Sequence, residues 1–353
     1  MSAHPAALAA ALKPPRAFGA APAAAAVRAE PEDFLVEELL GFEAAGSGQH
    51  LLLKVRKRNA NTRWVARELA ALGGCRSSEV GYAGLKDRRA IAVQWFSVPR
   101  PRTAVSWQEL RHPEFEVLEA VSHNRKLPIG ALAGNRFAVR LRSADADGRR
   151  LERLLAPRLE VVGARGVPNY FGPQRFGRDG ANLAAPAGWR TLSRSQRGFV
   201  LSAARSAVFN AVLAARVSEG SWEQVLPGDI VCLDGHGSIF AADPADAALA
   251  PRAAALEIHP TGPLWGAGAP PSAGSTLELE SRMALELGAE SELCRAAGMR
   301  QERRSLRLAV RELRATAEAD ALLLTFRLAR AGFATAVLRE LLDDESLGVP
   351  DPD

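Results

Sequence analysis

Apolar and polar residues alternate with a period of two along several stretches, the spacing that sends successive side chains to opposite faces of a strand. The cleanest is "GNRFAVRLRS", from Gly134: Phe137, Val139 and Leu141 share one face, Arg136, Arg140 and Arg142 the other, and Asn135 has the parity of Phe137. In "HLLLKVRKR", from His50, Leu51, Leu53 and Val55 alternate with Leu52, Lys54 and Arg56, so one face is apolar and the other grows basic. "DFLVEEL", "AIAVQWFSV", "SLRLAVRELR" and "ALLLTFRLA" supply further strands. "NTRWVARELAALGG" predicts a helix capped by Asn61, with Val65, Leu69 and Leu72 on one face and Gly73 and Gly74 at its end. "DGRRLERLLAPRLEVV", "SRSQRGFVLSAARSAVFNAVLAARV" and "FATAVLRELLDD" predict three more helices.

Gly, Pro and Asn in "RGVPNYFGPQRFGRDGAN" and "HPTGPLWGAGAPPSAGS" mark ordered loops, and "VLPGDIVCLDGHGSIFAA" reads as short strands joined by turns. Strands and helices mix without regular βαβ alternation or internal repeat, which predicts an α+β fold with a mainly antiparallel sheet. The Ala-rich 1–27 reads as a loose leader, too interrupted by Pro and Lys for a signal peptide or membrane span. A domain boundary is expected near Arg165, and 346–353 as a disordered tail. Arg194, Arg205 and Arg216 recur every eleven residues, a drift of about 20° each on a straight helix. Both a basic stripe and a solvated face fit that spacing.

The chain has 353 residues, enough for one large or two ordinary domains, and a net charge of +5 that favours acidic partners such as nucleic acid. Only five of its 45 basic residues are lysines, a bias that a GC-rich genome also produces. Cys75, Cys232 and Cys294 are too scattered for a disulfide or zinc framework, so reduced thiols in the cytoplasm are expected. Walker-type, G-x-G-x-x-G, H-E-x-x-H and G-x-S-x-G motifs are all missing.

What remains is "GYAGLKDRRAIAVQW", where Asp87 stands between Lys86 and the pair Arg88 and Arg89. Such an acid can be a loop residue in an ion pair. The other reading is a nucleophile that its cations keep ionised and let approach phosphate-bearing RNA. Phe137 and Phe34 suit a core or a stacking platform; Asn135, an amide on an apolar face, needs a partner that a substrate base or the Asp87 loop could supply. Tyr170, Phe171 and Phe176 beside Gln174 and Arg175 fit either unpaired bases or a structural corner.

"PEDFLVEE", "NTRWVARELA", "YAGLKDRRAIAVQ", "GNRFAVRL", "GVPNYFGPQRFG", "LSAARSAVFN" and "FATAVLREL" together, in this order, resemble the TruD family of tRNA pseudouridine synthases, from about Arg28 to Leu342. The resemblance implies a cytoplasmic, cofactor-free, monomeric enzyme without a membrane or protein partner, converting tRNA uridine, at position 13 of the D arm in bacterial members, to pseudouridine. It implies a mixed α/β catalytic domain, 28–165 plus 301–345, interrupted by an inserted α/β TRUD domain over 166–300. Asp87 falls on the catalytic aspartate, Phe137 on the aromatic that packs on the base, and Asn135 on a base- or Asp-orienting amide. Phe34 and Phe333 match substrate-contacting positions; Lys86, Arg88, Arg89 and Arg175 are expected on RNA. Arg28 replaces the usual Lys beside the acid, and Ala92 stands where members often have Thr. Two other readings are a non-catalytic RNA-binding protein of this fold and a nucleoside hydrolase. The hydrolase would need a second carboxylate, for which Glu79 is the nearest in sequence.

Overall fold

In chain order the strands are β1 (Ala26–Val27), β2 (Phe34–Leu39), β3 (His50–Arg58), β4 (Gly81–Tyr82), β5 (Ile91–Pro99), β6 (Phe115–His123) and β7 (Gly134–Arg142). There follow β8 (Val167–Pro168), β9 (Ile230–Leu233), β10 (Ile239–Ala241), β11 (Ile258–Leu264), β12 (Glu302–Ser305), β13 (Arg307–Leu308), β14 (Arg311–Ala317) and β15 (Ala321–Ala329). The structure, a computed structural model, describes residues 6–177, 180–183 and 188–348. They divide into two units, each assembled from separated stretches of chain.

The sheet unit takes Ala23–Ala156 and Arg311–Ala331. Its sheet runs β14-β15-β7-β2-β5-β3-β6, with β1 added on β7 and β4 on β5. Only β2 and β5 pair in parallel, so the expected α+β character with mainly antiparallel sheet is what forms. β7 shows the alternation its sequence predicts: Asn135, Phe137, Val139 and Leu141 are buried and Arg136 is exposed. On β3, Leu53 and Val55 meet Val65 and Leu69 of the helix Thr62–Gly73, together with Phe96 and Val98 of β5. Burying one such side chain fully contributes about 1.5–3 kcal/mol. The helix starts where Asn61 accepts the Arg63 amide and stops where Gly74 turns left-handed at φ 64°.

The helical unit takes the described residues through Pro22, then Pro157–Val310, then those from Gly332 onward. Its axis is the helix Arg194–Ser218, opened by a capping box between Ser193 and Gln196. That helix has the length and hydropathy of a membrane span, but 67% of its apolar window is buried inside the protein. Its three evenly spaced arginines do not form one basic stripe: Arg216 is buried on Asp229 and Arg205 pairs with Glu302.

The stretch expected as a loose leader instead forms the helix Ala6–Leu12, whose Ala7, Leu8 and Ala11 pack against Ala207, Val208 and Ala211. Buried Asn210 donates to the Ala11 carbonyl, Arg158 to that of Phe18, and Arg339 to that of Pro15, so the segment is tied by its backbone. The same ties, with Arg158 donating to the Glu340 carbonyl, draw the helix Ala334–Leu341 into this unit, although the sequence suggested it would rejoin the catalytic one. The unit boundaries fall at Pro157 and Arg311 rather than near Arg165 and Arg300. Residues 1–5 of the leader and 349–353 of the tail lie outside the described residues, while Ser346 and Leu347, expected in a disordered tail, belong to a short helix, Asp344–Leu347, capped by Asp343.

Candidate active site

Between β4 and β5 the chain makes a tight loop that carries Asp87. Gly81 lets the loop enter: a Cβ there would lie 2.4 Å from the Leu127 carbonyl oxygen, which no side chain tolerates. Three buried side chains then fix the loop's backbone. Gln94 donates to the Gly84 carbonyl at 2.5 Å; Thr62, which donates to Gln94 at 3.1 Å, accepts the Lys86 amide at 3.1 Å. Lys57, fully buried, sends its ammonium to the Ala60 carbonyl at 2.7 Å and the Asp87 carbonyl at 2.9 Å. A buried charge is tolerated only where hydrogen bonds replace its water, and here the replacements are loop carbonyls.

The Asp87 carboxylate is about half-exposed. One oxygen, Oδ2, accepts from Arg28 Nη2 at 2.7 Å, while Oδ1 accepts nothing among the described residues. Arg28 is held in turn, its guanidinium lying 4.0 Å above the centre of the Phe34 ring. It has a left-handed backbone, φ 63°, which for a residue other than glycine stores about 1 kcal/mol or more of strain and is typical of functional sites. Phe34 meets Phe137 edge to face at 6.0 Å, and Phe137 stacks on Phe326 of β15 at 5.2 Å. Asp87, Arg28, Phe34 and Phe137 thus form one continuous chain of contacts. Asn135 lies one step along the Phe137 face of β7, buried, and accepts from Lys86 Nζ.

Of the four cations expected on RNA, Lys86 is differently engaged. Its side chain is only 9% exposed and its ammonium sits 3.2 Å from Glu38 and on Asn135, because Glu38, fully buried, needs a counter-charge. Burial pushes the Glu38 carboxyl above its usual range, and Lys86 pulls the other way. Arg88 and Arg89 are exposed on the loop. Arg175 and Phe333 belong to the helical unit. There the Arg304 guanidinium lies 4.2 Å over Phe171 and 5.7 Å from Phe333, and Arg175 lies 5.4 Å from Phe171 while donating to Ser202. Burial, with Arg175 close by, lowers Arg304 to about 9. Glu79 is engaged locally, accepting from the backbone and side chain of Arg76.

Lys57, Glu38, Phe326 and Arg304 did not stand out as site residues in the sequence. For two of them a signal was present. Lys57 continues the parity of Leu53 and Val55, and Glu38 that of Phe34 and Val36; a charge on the buried parity of a strand calls for a specific partner.

The family profile described as tRNA pseudouridine synthase D (TruD) matches residues 17–185 and 184–341. A tRNA pseudouridine synthase D of Xanthomonas campestris pv. campestris (strain B100) is 46% identical, over 93% of this chain and 94% of that protein. Another, from Methylococcus capsulatus, is 44% identical over 96% of each. A crystal structure described as a tRNA pseudouridine synthase D (TruD) from Methanosarcina mazei superposes with a TM-score of 0.71 over 94% of this chain and 97% of that one; at 21% identity this likeness speaks to the fold.

Proposed function

The chain belongs to the TruD family of tRNA pseudouridine synthases and is an isomerase of that kind, and from this premise we propose that Asp87 is its catalytic carboxylate and uridine-13 of the tRNA D arm its target. The observation that carries the reading is the state of Asp87: one oxygen tethered by Arg28, the other open, on a loop whose backbone is clamped by buried side chains. A nucleophile or base needs that combination of fixed position and free lone pair.

The sheet unit is the catalytic domain in this reading, and the helical unit holds the family's insertion. The target uridine leaves its stack at a cost of a few kcal/mol and enters the site. Oδ1 of Asp87 either attacks C1′, displacing uracil through N1, or removes the C2′ proton so that uracil leaves a glycal. Uracil turns and C5 re-forms the bond to C1′, displacing the Asp87 carboxylate in the first route and, in the second, adding to the glycal as Asp87 returns its proton to C2′; loss of the C5 proton restores the aromatic base, with no net redox change. Arg88 and Arg89 of the sheet unit contact phosphate, Arg175 of the helical unit contacts RNA in its own right, and the enzyme acts as a monomer in the cytoplasm.

Replacing Asp87 by Asn keeps the size and the Arg28 contact but removes the nucleophile. The expected result is loss of pseudouridine formation with tRNA affinity largely intact, read by mapping pseudouridine in tRNA and by filter binding; undiminished turnover would sink the assignment. Deuterium at C2′ of the target slows the glycal route and leaves direct attack unaffected.

A further inference from the structure

Glu38 of β2 stands directly across from Asn135 of β7 in the antiparallel register, on the face that also carries Phe34 and Phe137. Its carboxylate is sealed from water. Oε1 accepts the Trp95 amide at 3.3 Å and Oε2 lies 3.2 Å from the Lys86 ammonium. The same ammonium donates to Asn135 Oδ1 at 2.5 Å. Two ends of an asparagine amide differ only in what they can do: one accepts and the other donates. Lysine donates only, so the oxygen must face Lys86; the flipped amide would set NH2 against NH3⁺. Glu38 keeps that cation in place, since withdrawing it would leave a buried carboxylate without a counter-charge.

The NH2 of Asn135 therefore points away from Lys86. It donates to no acceptor among the described residues, and Asn135 keeps 8% of its surface exposed. Phe137 follows two residues later on the same face, about 7 Å along the strand, a gap that a single pyrimidine bridges.

We propose that the Glu38–Lys86 pair is a positioning device that fixes Asn135 as a hydrogen-bond donor only, and that its NH2 takes a carbonyl oxygen of the flipped uracil. This rests on the catalytic reading above and adds a selectivity element to it. The selectivity holds for a contact to O4, which cytosine replaces by an amino group that a donor cannot satisfy, whereas O2 is common to both bases; a penalty confined to 4-thiouridine marks that case. A freely turning amide would accommodate either base.

The test uses tRNA carrying uridine, 2-thiouridine or 4-thiouridine at the target position, sulfur being the poorer acceptor. The wild-type enzyme is expected to lose about tenfold in kcat/KM with one of the thio substrates. That penalty is expected to fall to near unity in Asn135→Ala, and likewise in the paired variant Glu38→Met with Lys86→Met, which removes both charges together and so leaves neither stranded. Comparing ratios between variants cancels the intrinsic reactivity of the thio base. A penalty unchanged in the folded paired variant overturns the positioning role. Should that variant melt, Asn135→Ala alone decides: a penalty retained there overturns the contact itself. No penalty in the wild type, with Asp87→Asn inactive, overturns the carbonyl contact while the catalytic reading stands. An active Asp87→Asn overturns the catalytic reading instead.

Discussion

Arg28 decides how Asp87 presents itself, by three separate features: the hydrogen bond to Oδ2, the stack on Phe34 and a left-handed backbone. A lysine could supply the charge but not the flat stack with a directed N–H. Arg28→Met is therefore expected to reduce kcat by about 10²-fold, the order seen when one charge-assisted contact to a reacting group is lost, with a small change in KM. Arg28→Lys, the residue more usual at this place in the family, should recover most of that loss; steady-state kinetics on tRNA reads both. From charge pattern alone Asp87 was legible only as an acid among bases, since that pattern does not distinguish an ion pair from a nucleophile; the ordered motifs were what pointed to catalysis. Its nearest cation comes from Arg28, far away in sequence and brought over by the fold, whereas the adjacent Lys86 turns inward to Glu38. Local sequence showed which residue types were present; pairing depended on the cross-strand register.

At the scale of elements, the strands were the most legible part, because β7 and β3 each pack one face and leave the other wetter. What alternation did not show was how the turn before β2 is held. Arg142, at the end of β7, clamps the buried Asp33 with bonds of 2.8 to 3.1 Å, and Asp33 also accepts the Glu30 amide, so Phe34 enters its strand from a fixed point. Burial alone would raise the Asp33 carboxyl, but the bonds from Arg142 and Glu30 outweigh it and hold it below its ordinary value of 3.8. The folded protein thus binds this proton more weakly than the unfolded chain. The stabilisation is complete above that ordinary value and is lost as pH falls through the lower folded one. Arg142→Met is expected to lower Tm at neutral pH by about 2–4 °C and to flatten the acid-induced fall in Tm below pH 4, as thermal melts across pH would show.

For the whole molecule, charge and chain order matter more than any one contact. A net charge of +5 and, in the proposed reading, phosphate contacts from the exposed pair Arg88 and Arg89 are expected to tie RNA affinity to ionic strength. Replacing both arginines by Gln should reduce the slope of log affinity against log salt by about one to two, with kcat at saturating tRNA little changed; binding titrations from low to high salt measure it. The α+β class followed from the mixture of patterns, but the membership of each segment did not, because Ala-rich "ALAAAL" looks the same whether solvated or packed on the helix Arg194–Ser218. That packing bears on synthesis at the ribosome. The helical unit draws on the described residues through Pro22, a middle stretch, and those beyond Gly332, and the sheet unit needs Arg311–Ala331 to supply β14 and β15. Neither can close until nearly the whole chain has emerged. The helix Ala6–Leu12 must then wait, uncovered, for the helix Arg194–Ser218, and the carbonyls of Pro14 and Pro15 wait longer still, for Arg339 near the end of translation.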